Sequence, residues 1–82
     1  LNDYNDRNTV VAHLSLDHNE RAMELLATMP KDAVTEYLRA IACSRLGRKA
    51  EGREHFLEAC RLDGRMEYRG NLDPEIAELL KQ

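Results

Sequence analysis

The sequence is poor in the large side chains that fill most small cores. Its 82 residues contain no Trp, one Phe and three Tyr, so a core must be built from Leu, Ile, Val, Ala and Met. A chain this short buries only a marginal core, which favours small residues that let helices approach closely. The two cysteines, Cys43 and Cys60, are too few for a disulfide framework. We expect two buried free thiols, with a disulfide between them as the alternative.

Excess positive charge and long apolar runs are also absent. The net charge of −3 disfavours nucleic acid and anionic membrane surfaces as partners. No apolar run approaches the roughly 20 residues that a membrane-spanning helix needs, and no signal peptide is recognisable. We therefore expect no nucleic-acid partner and no membrane insertion by this segment, while the cellular location is left open.

The sequence does contain helical periodicity, which is strongest between Asp32 and Asp63. Apolar residues at steps of three and four predict a first helix there, on Val34, Tyr37, Leu38, Ile41, Ala42 and Leu46. Asp32 is suited to cap the start of this helix, and Gly47 is suited to end it. A second helix is predicted from the shared face of Gly52, Phe56, Ala59 and Cys60. The short connection makes the two helices antiparallel neighbours.

Gly52 lies inside the second predicted helix, where glycine costs about 1 kcal/mol relative to alanine. We expect this cost to be offset by close approach of the partner helix. Before this hairpin, a polar stretch at 1–8 leads into a helix over about 6–16, and a second helix ends near Met29 before Pro30. After it, residues 65–71 have poor periodicity and are expected to hold no more than one helical turn. Asp73 and Pro74 then begin a final helix over 73–81.

The two predicted hairpins are related by an internal repeat. Sliding the chain by 30 residues places small residues over small, large over large and turn over turn. The aligned pairs are Ala12 with Ala42, Leu16 with Leu46, Asp17 with Gly47, Ala22 with Gly52, Leu26 with Phe56, and Met29 with Ala59.

The second hairpin resembles a tetratricopeptide repeat (TPR), a helix–turn–helix unit of 34 residues. Leu46-Gly47 at the turn, followed by Gly52, Phe56 and Ala59, matches the family pattern of its second helix, with Gly in place of Ala. The first helix matches less well, since Ala40 and Cys43 occupy the small and Tyr positions but Glu36 and Arg39 stand where Trp and Leu are usual. Gly64 stands where the family has its closing Pro. The resemblance covers about residues 4–64.

This resemblance implies an all-α fold, an α–α superhelix of two antiparallel hairpins (4–30 and 33–64) with a capping helix (73–81), in one domain over 1–82. Two repeats and a cap are a minimal stack, so we expect further repeats before Leu1.

In the TPR family the first helices of stacked hairpins form a concave groove that binds peptides or helices. The resemblance assigns to this groove Tyr4, Arg7, Val11, Leu14, Ser15, Val34, Tyr37, Ile41, Ser44 and Arg45. Family members that clamp terminal carboxylates use Lys and Asn where this chain has Tyr37 and Ile41, so we expect an apolar or helical segment of a partner protein instead. The alternative is that Tyr37 and Ile41 pack against a neighbouring helix.

Other function classes have weaker support in the sequence. His13 and Asp17 lie one helical turn apart, with His18 close by in the sequence, and could be taken for a metal or acid–base set, but a third metal ligand is not evident. No nucleophile–base pair or phosphate-binding loop stands out either, so we expect no enzyme, metal or cofactor. His55 is expected at the surface. The basic edge, defined as Arg45, Arg48, Lys49 and Arg53, makes a helix-turn-helix nucleic-acid binder one alternative, against which stand the net charge and the interleaved acids. A second alternative is a helical oligomerisation module that forms a homo-oligomer through the N-terminal helix pair.

Overall fold

The computed structural model describes residues 7–81, and within them the protein is all-helical. The helices in that range are α1 (Arg7–Ser15), α2 (Asn19–Leu26), α3 (Ala33–Arg45), α4 (Lys49–Leu62), α5 (Arg65–Asn71) and α6 (Pro74–Leu80). The predicted all-α class is thereby confirmed. α1 with α2, and α3 with α4, form two helical hairpins, and α5 and α6 follow them.

Local capping chemistry starts α3 and α6, and ends α3, where the sequence indicates. The Asp32 carboxylate accepts hydrogen bonds from the Thr35 backbone N–H and hydroxyl, both at 2.8 Å, and the Thr35 amide lowers the pKa of Asp32. The Asp73 carboxylate accepts from the Glu75 N–H at 2.9 Å at the start of α6. Gly47 has a φ of +81°, the left-handed geometry that ends α3 and that glycine adopts without steric cost.

The two interhelical turns share one geometry, as the internal repeat predicts. Asp17 has a φ of +64° and is the residue aligned with Gly47. The next amide in each turn reaches back to an equivalent carbonyl, His18 N to His13 O and Arg48 N to Cys43 O, both at 2.8 Å. The repeat therefore extends to the backbone hydrogen bonds of the turns.

The structure differs from the sequence prediction at α2 and α5. α2 ends at Leu26 rather than near Met29. The segment expected to hold one turn at most is instead the seven-residue helix α5. α5 forms because Met66 and Gly70 bury one side of it, and Gly70 lies so close to Phe56 that a Cβ there would be 2.5 Å from the Phe56 ring.

α3 is the centre of the packing. It packs most extensively against α4 and also contacts α1, α2, α5 and α6. A Cβ on Gly52 would lie 3.2 Å from the Ala40 carbonyl oxygen of α3 and 3.1 Å from a Leu79 methyl of α6. The expected close approach at Gly52 is confirmed.

Both cysteines are free. Cys43 is buried as predicted, whereas Cys60 is only half-buried, which corrects the expectation for that residue. Burial raises the pKa of both thiols, so neither is activated as a nucleophile.

Candidate interaction surface

The predicted groove residues fall into an exposed set on α1 and a largely covered set on α3. Tyr4 lies outside the described residues. On α1, Arg7, Val11 and Ser15 are exposed, and Leu14 is buried. On α3, Tyr37 and Ile41 are buried, Val34 and Ser44 are half-buried, and Arg45 is exposed. The alternative in which Tyr37 and Ile41 pack inside the molecule thus describes their position in this structure.

Tyr37 is enclosed by residues from two other helices, α4 and α5, and by the residue that caps α6. Its hydroxyl donates a hydrogen bond to Asp73 at 2.7 Å. Its ring meets the edge of Phe56, with centroids 6.1 Å apart, and the Arg69 guanidinium lies 4.5 Å from the ring centroid. Burial and the Asp73 carboxylate raise the pKa of Tyr37 well above its usual range. Tyr37 therefore stays protonated and donates to Asp73.

Arg45 connects the first hairpin to α6. Its guanidinium binds Glu75 through two hydrogen bonds of 2.8 and 2.7 Å, the bidentate geometry that suits an arginine–carboxylate pair. It also donates to the Leu14 carbonyl at 2.6 Å and to Asn19 Oδ1 at 3.3 Å. Hydrogen bonding to Glu75 raises the pKa of Arg45. The guanidinium thus touches α1, α2 and α6 together.

These contacts place α6 on the face of α3 that the TPR resemblance assigns to partner binding. Two of the assigned residues, Tyr37 and Arg45, hold the acidic start of α6. Within the described residues α6 makes no contact with α1. The exposed part of the predicted surface is therefore the α1 side, with Val11 46 % exposed.

A buried polar cluster that the sequence analysis missed lies between α3 and α4 and reaches the end of α2. Glu36 is 2 % exposed and accepts hydrogen bonds from Arg39 and from His55 Nδ1, the latter at 2.6 Å. Because an ionised carboxylate only accepts, the imidazole hydrogen is assigned to Nδ1. Arg39 also donates to the Leu26 and Met29 carbonyls at 2.5 and 3.3 Å, which completes the end of α2. His55 is thus half-buried and paired, which corrects the expectation of a surface residue.

The cluster forms the floor of an open pocket of about 410 Å³, whose lining consists of Lys31, Glu36, Arg39, Glu54, His55 and Glu58. This lining contains no Ser, Thr or Cys that a carboxylate-oriented imidazole could activate. Glu58 is held by Arg61 and Lys31, and its hydrogen bond from Arg61 lowers its pKa to about 2. The one sequence signal for the cluster was the presence of charged Glu36 and Arg39 at positions where the repeat family has Trp and Leu.

The remaining candidates are dispersed. The His13 and His18 rings lie 5.8 Å apart between centroids, and the part of the chain from 7 to 81 places no group of three His, Cys, Asp or Glu residues around a metal position. Of the basic edge, Arg45 is engaged by Glu75, and Arg53 donates to the Leu79 carbonyl at 3.2 Å. Arg48 and Lys49 are exposed at the turn. The edge is therefore in part a structural clamp on α6.

No protein-family model, curated protein or solved structure matches this chain. The resemblance to tetratricopeptide repeats accordingly rests on the residues quoted above. None of the helices within residues 7–81 is both long enough and apolar enough to cross a bilayer.

Proposed function

We propose that this chain is a non-catalytic interaction or scaffolding module of the TPR type, which binds a peptide or helix of a partner protein. In this proposal its two hairpins are consecutive repeats of an α–α superhelix, and α5 and α6 close its C-terminal end. The shared turn geometry of Asp17 and Gly47, and the close approach at Gly52, support the repeat assignment.

The observation that carries the proposal is the contact between α3 and α6. Tyr37 and Arg45 were assigned to ligand binding from the resemblance, and both bind a helix in the structure, although that helix belongs to the same chain. A surface with a tyrosine hydroxyl, an arginine fork and flanking apolar side chains is suited to hold an amphipathic helix. The exposed residues Val11 and Ser15 extend this surface onto α1.

Site-specific photocrosslinking tests the proposal. A photoreactive amino acid is placed at Val11 or Ser15 on the predicted surface, and at Glu20, an exposed residue of α2, as the matched control. We expect one protein from the source lysate to crosslink at both surface positions and not at Glu20. Equal crosslinking at all three positions, or none at the two surface positions, would contradict a partner-binding role for this face.

Self-association is a second candidate function, favoured by apolar exposure on the first hairpin. Leu16 is 65 % exposed and Val11 is 46 % exposed. Both belong to the N-terminal helix pair, which is where the sequence places a contact between copies. Light scattering over a hundredfold range of protein concentration distinguishes this candidate. A molecular mass that doubles with concentration in the wild type but not in a Val11→Ser/Leu16→Ser variant would support it.

A further inference from the structure

We infer that α6 is an internal ligand of the α3 face, and that an external helix with the same recognition chemistry competes with it. The competing helix has an acidic capping residue, a second acid two positions later, and Ile or Leu three and six positions after the cap. In α6 these residues are Asp73, Glu75, Ile76 and Leu79. This inference rests on the proposed function, since it names the chemistry of the partner for the same surface.

The polar half of the recognition is specific in both geometry and charge. The Tyr37 hydroxyl donates to Asp73 at 2.7 Å, and the Arg45 fork holds both oxygens of Glu75. A bidentate arginine pair fixes the direction of a carboxylate as well as its distance. These two contacts therefore select a helix whose acidic residues are spaced as in α6.

The apolar half is small. Ile76 and Leu79 are fully buried: Ile76 lies beside Gly70 of α5, and the Leu79 methyl packs on the hairpin where Gly52 leaves room. The other residues of α6 are exposed, except for Glu75, which is half-buried. A seven-residue helix is marginal by itself. Since α6 buries only two apolar side chains, its release exposes much less apolar surface than unfolding of the α3–α4 hairpin does.

An external helix must overcome the high effective concentration of a tethered segment. It gains the necessary advantage by reaching the α1 side, since α6 leaves Arg7, Val11 and Ser15 uncovered. The expected partner segment is therefore longer than α6, with the same acidic start and additional apolar residues that reach Val11.

The test uses the full chain and a fluorescent peptide with the sequence of residues 72–82. Glu75→Arg sets a positive charge against Arg45 and releases the internal helix, whereas Glu78→Arg makes the same charge change at a residue that pairs with Lys81 and not with α3. We expect the Glu75→Arg chain to bind the peptide about tenfold or more tightly than the Glu78→Arg chain, because the internal competitor is weakened. Binding within about twofold in two chains of equal helicity would overturn the inference.

A charge reversal checks that Arg45 is the contact. The Arg45→Glu chain should bind a peptide carrying Glu75→Arg and reject the unmodified peptide. Loss of both peptides by an Arg45→Glu chain that keeps wild-type helicity would show that Arg45 does not recognise the acid at position 75.

Hydrogen exchange on the unmodified chain keeps the inference testable if the variants fail to fold. The amides of α6 should exchange through an opening that costs less free energy than the opening that exposes the amides of α4. Equal protection of α6 and α4 would show that α6 leaves only on global unfolding, which overturns the inference. A partner crosslinked at Val11 without peptide competition would leave the proposed function standing and remove only the internal-ligand role of α6.

Discussion

Removing the buried carboxylate of Glu36 is the perturbation with the clearest expected magnitude. Glu36 is 2 % exposed, and the Arg39 side chain that pairs with it is 13 % exposed. Replacing Glu36 with Leu leaves Arg39 buried without its counter-charge and His55 without its acceptor. Breaking a buried ion pair by removing one partner costs about 3–5 kcal/mol. At about 0.05–0.15 kcal/mol per residue, a chain this size is stable by about 4–12 kcal/mol, so that loss removes a large part of its stability.

The double variant Glu36→Leu/Arg39→Leu should be more stable than Glu36→Leu alone. Removing both charges abolishes the desolvation penalty, and apolar replacement of buried pairs is often neutral or stabilising by about 1–4 kcal/mol. Part of this gain is lost because Arg39 no longer donates to the Leu26 and Met29 carbonyls, at about 1 kcal/mol for each hydrogen bond. We therefore expect the double variant to lie within about 2 kcal/mol of the wild type, and so to recover most of the loss of about 3–5 kcal/mol in the single variant.

Urea unfolding followed by circular dichroism measures these changes, provided that the m-value stays constant across the variants. Glu54→Leu is the matched control, since Glu54 lines the same pocket but is exposed, and it should change stability by less than about 0.5 kcal/mol. A loss below about 1 kcal/mol in Glu36→Leu would refute the argument, because it would mean that Arg39 is not destabilised by losing its buried counter-charge. A double variant no more stable than the single one would show that Arg39 acts only as a cap.

The remaining predictions concern the core around Tyr37. Phe56→Ala should cost about 3–5 kcal/mol in a urea melt by leaving a cavity, and a loss below about 1 kcal/mol would contradict this packing. Gly70→Ala should cost about 1–3 kcal/mol because its Cβ would lie 2.5 Å from the Phe56 ring. Its control, Gly64→Ala, meets no atom within 4 Å and should be close to neutral. Because the pKa of Tyr37 is raised above its ordinary 10.0, the stability it contributes is present below pH 10.0 and lost as the pH rises further. The stability difference between the wild type and Tyr37→Phe should therefore stay constant below about pH 9 and shrink as the pH rises above 10.0, and a difference that stays constant above pH 10.0 would refute the role of the hydroxyl.

Local sequence signals predicted most helix starts and turns. Asp32, Gly47 and Asp73 act where the sequence placed them, because a cap depends only on residues within one helical turn. The end of α2 could not be predicted in this way. The last carbonyl of α2 is bound by Arg39 of α3, which lies 13 positions after Leu26 in the chain.

α5 was missed for a related reason. Its buried side consists of Met66 and Gly70, and glycine adds nothing to a hydrophobic periodicity. The short helix packs on the ring of Phe56, and the space beside that ring accommodates a glycine at position 70 but no larger residue. Hydrophobic periodicity depends only on the residues of the helix, whereas α5 is stabilised by the surface on which it packs.

The sequence by itself determined the helical class, the caps, the turn geometry and the repeat, since each depends on residues close together in the chain or on one fixed offset. Only the tertiary structure decided what the singled-out residues contact. Tyr37 meets Asp73 across 36 positions, and Glu36 meets His55 across 19. The TPR resemblance singled out Tyr37 and Arg45 but not α6 as their neighbour. Which surfaces are covered depends on how six short helices share one small core, and no local spacing encodes that arrangement.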